Sequence, residues 1–211
     1  MTTLPDIPRL YTALAEVLAA VLYAQAVPPR MDKRLCWGIT VVWAGLLAVF
    51  LQLTGDVPLV WWIPCMTAAI GWIYLYLWGT RAMNLLEAGY SCARAFILAE
   101  LAASVEWQLH CVLWPQRGAG KPLSLVLLAV VYAALYGFLY LFEQRRATAA
   151  RLTITTAAML MAVVMAVTVF AVSNLSFVSN GEATMSVFYI RTLVDFAGVL
   201  ILSVQHEQLR E

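Results

Sequence analysis

The sequence predicts an all-α membrane protein: a polytopic bundle of seven transmembrane helices, amino terminus outside and carboxyl terminus inside. Three observations carry this expectation. The chain of 211 residues is 63% hydrophobic and only 12% charged, whereas soluble domains carry about 25% charged residues. Seven apolar runs are long enough to cross a bilayer, whose core of about 30 Å takes about 20 helical residues. The basic residues fall unevenly between the breaks, as in proteins oriented by the positive-inside rule.

The first run, Leu10–Val27, is interrupted by Glu16. Small residues at Ala24 and Ala26 resemble a signal-peptidase site, but the leading MTTLPDIPR has only Arg9 against Asp6. Cleavage would also leave the basic PPRMDKR segment outside, so the run reads as a retained helix. Leu35–Leu53 follows that basic segment, and Val57–Trp78 contains Pro64, the one proline well inside a run. Trp61, Trp62, Trp78 and Trp114 fall near run ends, where an aromatic belt belongs. Ala88–Trp114 is apolar yet holds Arg94, Glu100 and Glu106. Leu123–Phe142 carries Ala129, Ala133 and Gly137 at fourfold spacing, beside Tyr132, Tyr136 and Tyr140. Small residues let helices approach closely in lipid, so this stripe is expected to pack inside the bundle. Leu152–Val178 has no charge through Phe170, and Ser186–Val204 contains Arg191 and Asp195. The breaks are short, as between antiparallel neighbours, and no run alternates with period two, which excludes a β-barrel.

With the carboxyl end placed inside, the inner segments hold eight basic residues: Arg30, Lys33, Arg34, Arg81, Arg145, Arg146, Arg151 and Arg210. The outer segments hold three, Arg9, Arg117 and Lys121. The expected organisation is one membrane domain over residues 1–204 and the start of a cytoplasmic connecting helix over 205–211. A net charge of +1 gives no sign of a nucleic-acid partner. Cys36, Cys65, Cys92 and Cys111 stand singly in apolar runs, without the CxxC pairing of metal or redox sites.

Ionisable groups inside spans are the candidates for function, because a charge at the bilayer centre costs about 2.5–3.5 kcal/mol even on lenient scales. The ligand-binding or signalling set is Glu16, Glu100, Glu106, His110, Arg191 and Asp195. At about 1.5 Å per residue, Glu16, Glu106 and Arg191 lie at a similar depth in the outer half. This predicts an Arg191–Glu106 ion pair, with Glu16 or Asp195 as further partners. Arg191 and Asp195, and Glu106 and His110, are four apart and share helix faces. Arg94, near the inner end, is expected to snorkel into the headgroups. A purely structural reading, in which Arg191 locks helices together, stands beside the functional one.

No catalytic, cofactor-binding or metal residues are expected. Both lysines, Lys33 and Lys121, lie in loops, which excludes a retinal linkage in the last helix. His110 and His206 are too far apart for HExxH, and no P-loop or serine–histidine pattern occurs.

Several strings resemble the membrane segment of bacterial GHKL-type sensor histidine kinases. They are Cys92-Ala93-Arg94-Ala95-Phe96, Leu98-Ala99-Glu100, Ser104-Val105-Glu106-Trp107-Gln108, Ser173-Asn174-Leu175-Ser176-Phe177-Val178, and Tyr189-Ile190-Arg191-Thr192-Leu193-Val194-Asp195 with Gly198. The exit Gln205-His206-Glu207-Gln208 is similar to the start of their cytoplasmic coil. The resemblance covers the chain from about Gly89 onward, and the first three runs in pattern only. It implies a sensor that detects an extracellular or membrane-borne signal, a small molecule or short peptide. The last helix would pass the signal to a cytoplasmic kinase in a homodimer. A response regulator would be reached only through that kinase part, which lies outside these residues, so the chain itself is expected to lack kinase activity. The rival expectations are a small-molecule transporter or its substrate-binding membrane subunit, and an assembly partner without ligand.

Overall fold

A computed structural model describes residues 7–55, 57–114, 122–145, 153–180 and 185–209, without side chains at 59, 143–145 and 173–180. Among the described residues there are seven helices and no strand: α1 (Arg9–Gln25), α2 (Lys33–Leu53), α3 (Leu59–Thr80), α4 (Leu85–Leu113), α5 (Pro122–Arg145), α6 (Thr156–Asn180) and α7 (Met185–Gln208). Five are long and apolar enough to cross a membrane: α2, α3, α4, α5 and α7. Helix α1 has 17 residues, and the described apolar part of α6, Thr156–Val172, is also shorter.

Local chemistry sets the helix ends. Asp32 caps α2 by accepting from the Arg34 amide at 3.2 Å. Asn84 and Glu87 form a reciprocal capping box at the start of α4, each bond 2.8 Å, satisfying two otherwise orphaned amides. The helix therefore begins at Leu85, three residues before the apolar run. Helix α6 likewise extends to Asn180, past the run's end at Val178.

Contacts at the two ends show that successive helices alternate in direction. At one end Arg9 donates to the Gly55 carbonyl (3.4 Å), and Tyr11 bonds the Ser124 hydroxyl (3.3 Å). This joins the start of α1, the end of α2 and the start of α5. At the other end Arg30 donates to the carbonyls of Arg81 (3.2 Å) and Met83 (2.9 Å), while the Gln205 amide reaches Ala158 at 3.3 Å. The end of α1 and the starts of α2, α4 and α6 meet the ends of α3 and α7 there.

Helix α4 is the axis. It packs against α1, α3, α5, α6 and α7, and its residues from Cys92 to Ser104 are all buried. Surrounded on most sides, it turns its few polar residues toward neighbouring helices rather than gathering them on a solvent face.

The small residues of α5 face away from the bundle. Ala129 and Ala133 are exposed, and a Cβ added at Gly137 would meet open space. This corrects the expectation that they pack inside. Tyr132 and Tyr136 do so instead, because a phenol can anchor to a buried carbonyl, while Tyr140 is exposed. Tyr132 donates to the Tyr11 carbonyl (2.9 Å) and Tyr136 to the Ala15 carbonyl (2.8 Å). The close approach lies at Gly198, where an added Cβ would come within 2.8 Å of Val169 Cγ2 and 3.0 Å of Ile97 Cγ2.

These two glycines give opposite expectations. Gly198→Val should lower stability by about 1–3 kcal/mol, the usual cost of overpacking. Gly137→Ala should be neutral or stabilising by up to about 1 kcal/mol, from helix propensity alone. Thermal unfolding of the purified protein in detergent checks both.

Candidate functional site

The polar stripe of α4 consists of Glu100, Ser104 and Gln108, spaced by four and therefore stacked along one face. Helix α7 answers it with Arg191, Thr192 and Asp195. The Arg191 guanidinium donates to Glu100 Oε2 at 2.5 Å, with side chains 13% and 4% exposed. The Ser104 hydroxyl donates to Asp195 Oδ2 at 2.7 Å, and the Thr192 hydroxyl to Gln108 Oε1, also at 2.7 Å. Further along the same interface the Tyr90 hydroxyl reaches the Leu202 carbonyl at 3.5 Å. Three side-chain pairs thus zip α7 to α4 within apolar surroundings.

The partner of Arg191 is Glu100, not Glu106. Six residues turn a helix by about 600°, which leaves Glu106 about 120° around from Glu100 and about 160° from Ser104 and Gln108. With the stripe facing α7, Glu106 faces elsewhere. Depth alone misled: axial level is only one of two helical coordinates, and the angular one decides the pair.

Glu106 and Glu16 lie on the opposite side of α4, toward α1 and α5. Both are buried, at 0% and 1% exposure, and neither carboxyl has a hydrogen-bond partner among the described residues. Glu16 lies in electrostatic range of Glu100 and of Tyr136 on α5, and Glu106 in range of Tyr132. Tyr11 meets Trp107 edge-on at 6.2 Å, fixing the α1–α4 register at this level.

His110 stacks on Trp107 with ring centroids 4.6 Å apart and meets Trp114 edge-on at 5.8 Å. It makes no hydrogen bond to Glu106, although the two are four apart on α4. Arg94 is 5% exposed and lies over the rings of Tyr23 (4.6 Å) and Tyr90 (5.8 Å). It is held inside the bundle by cation–π contact rather than snorkelling outward. At the far end of α7, His206 is buried against Tyr90, ring centroids 6.0 Å apart. The helix runs through it unbroken to Gln208. Residues 173–178 belong to α6, but their side chains lie outside the described residues, as do Arg117, Lys121, Arg146, Arg151 and Arg210.

The structure brings Glu100, Arg191 and Asp195 to one interface, Glu16 and Glu106 to another, and leaves His110 in an aromatic stack. Sequence reasoning passed over Ser104, Gln108 and Thr192. Their signal was present: fourfold spacing from Glu100 on α4, and adjacency to Arg191 on α7. Among the described residues no group of three or more His, Cys, Asp or Glu could hold a metal ion.

No protein-family model, curated protein or solved structure matches the chain.

Removing one member of a buried pair typically costs about 3–5 kcal/mol, because the other charge is left uncompensated. Arg191→Ala should therefore lower the unfolding temperature and folded yield. Adding Glu100→Gln should recover a large part of that loss, and adding Glu106→Gln should recover none of it. A double-mutant cycle read by thermal unfolding checks the assignment.

Proposed function

We propose that the chain is the membrane-embedded sensor module of a signalling protein. In this reading its seven helices all span the bilayer, the Arg9 end lies outside, and α7 carries the signal to a cytoplasmic histidine kinase. The observation that carries the proposal is the α4–α7 zipper. Three polar pairs hold the last helix to the axial one, and α7 continues without a break to Gln208. Transmission needs an element with two arrangements that an input can bias. Polar pairs in an apolar interior suit this, since each offers a defined alternative partner rather than continuous sliding. The alternating helix directions support seven spans, and the gathering of Arg30, Lys33, Arg34 and Arg81 at one end supports the orientation. The resemblance to GHKL-type sensor kinases, on Arg94, Glu100, Glu106, Arg191 and Asp195, supports the output class. The signal would be a small molecule or short peptide, and the active form a homodimer.

A second reading, a small-molecule carrier, draws on a different observation: the two unpartnered buried acids on the α1 side of α4. Solute uptake by vesicles containing only this protein would favour it.

Reporter fusions at Gly118, Ala149 and Gly181 test the topology and should read outside, inside and outside. An inside reading at Gly181 would remove α7 as an inward-running connection.

The signalling reading is tested with a kinase catalytic region joined in frame after Glu211. Arg191→Lys keeps the charge but not the fork of the guanidinium. It should change autophosphorylation by about fivefold or more, the lower end of ordinary coupling energies, while unfolding stays cooperative. Unchanged output from a folded variant would leave the pair as a lock only.

A further inference from the structure

Basic residues collect at the end of the bundle where the α1–α2 connection lies against the α3–α4 turn. An antiparallel bridge between Pro29 and Arg81 joins the two segments. In it the Arg30 amide donates to the Thr80 carbonyl (2.9 Å) and the Ala82 amide to the Pro28 carbonyl (3.0 Å). Arg30 and Arg81 thereby become neighbours, although 51 positions separate them. Arg30 donates through Nε and Nη2 to the Arg81 and Met83 carbonyls, and its guanidinium lies 5.7 Å from the centre of the Trp78 ring. Arg81 reaches the Val27 carbonyl at 3.5 Å, and its Nε is buried without an acceptor among the described residues. All of these acceptors are neutral. Lys33 and Arg34 follow in the first turn of α2, both exposed, where the helix dipole is itself positive. The carboxylates at the starts of α2 and α4 are spent on caps, Asp32 on the Arg34 amide and Glu87 on the Asn84 amide. Among the described residues none of these four cations forms an ion pair.

We propose that this end of α2 and α3 binds one anionic phospholipid, its headgroup phosphate held by Arg30 and Arg81 with Lys33 and Arg34 at the rim. A guanidinium fork matches the oxygens of a phosphate, and each arginine keeps N–H groups that the protein does not use. The surroundings select a lipid over a free phosphate. Trp78 carries the Arg30 guanidinium over its ring, and tryptophan belongs at the lipid–water boundary. From Trp78 an exposed apolar track runs down α3 through Leu75 and Trp72, spaced by three and so on one face. Charge at the helix end above an apolar track is the complement of a phosphate above acyl chains. Diffuse attraction of basic residues to an anionic surface needs no fixed geometry, whereas here the backbone bridge holds two arginines side by side. A bound lipid would tie the α1–α2 connection to the turn from which α4 starts. The site needs α2 and α3 to lie in the membrane, for which both are long and apolar enough. It does not rest on the signalling reading, because a carrier would bind the lipid equally.

The test uses the full chain in neutral detergent, titrated with phosphatidylglycerol, with phosphatidylcholine of the same acyl chains, or with inorganic phosphate. Phosphatidylglycerol should raise the unfolding temperature in a saturable way, and native mass spectrometry should show one such lipid retained per chain. An equal response to phosphatidylcholine would overturn the proposal. A response to inorganic phosphate as large as that to the lipid would overturn the lipid as occupant. Arg81→Gln leaves the backbone bridge in place and should weaken retention about fivefold, the ordinary contribution of one basic residue near an anionic surface. Arg145→Gln removes a charge at the same end of the bundle, on α5, which packs against neither α2 nor α3. It should leave retention unchanged, and an equal loss in the two variants would overturn the site in favour of diffuse surface charge. Should Arg81→Gln fail to fold, the wild-type protein is offered both lipids in equal amounts. Selective retention of one phosphatidylglycerol supports the site, and equal retention of the two overturns it.

Discussion

A charged guanidinium inside an apolar bundle has to meet a counter-charge, and the Arg191–Glu100 contact is where this protein meets that demand. The pair fixes how α7 lies on α4. With Arg191 on Glu100, Asp195 falls beside Ser104 and Thr192 beside Gln108, and Gly198 arrives where Ile97 and Val169 leave no space for a side chain. The same orientation turns Glu106 away from α7 and toward α1 and α5. The polar interior of the molecule is therefore divided by one helix into two unlike halves, one of hydrogen-bonded pairs and one with two buried carboxyls that make no hydrogen bond among the described residues.

That division gives α4 a double role. One face is engaged with the helix that leaves the bundle. The other shares a seam with α1 and α5, held by the two tyrosine-to-carbonyl bonds. Glu16 and Glu100 lie in electrostatic range of each other, so the two halves are coupled through these carboxyls. A change in charge at Glu16 alters the field at Glu100, and hence the grip on Arg191. Under the signalling reading this is a short physical route from Glu16 to the output helix.

Much of the fold was legible because composition and run length are decisive for membrane helices: each apolar run overlaps an observed helix. The ends were less so. The Asn84–Glu87 capping box extends α4 backward by three residues, a local signal that hydropathy obscures. The site was legible in its residues but not in its pairs. Glu100, Arg191 and Asp195 stand out as charges in apolar runs, yet pairing depends on angle around the helix as well as depth. Angle was available for Glu100, Ser104 and Gln108 from their fourfold spacing. Arg94 defied expectation because Tyr23 lies on another helix, more than 70 positions away in sequence; only Tyr90, four residues before it on α4, was a local sign of the ring contact. The small stripe of α5 likewise could not reveal which side of the helix would be covered.

The central claim is that α7 faces the Glu100–Ser104–Gln108 stripe of α4 and not Glu106. Disulfide trapping measures this most directly, in a background where the four native cysteines are replaced by alanine. Paired cysteines at Ser104 and Asp195 should oxidise readily to an intramolecular disulfide, seen by mass spectrometry after proteolysis, while cysteines at Glu106 and Asp195 should not. Efficient trapping of the Glu106 and Asp195 positions, with none between Ser104 and Asp195, would contradict the account.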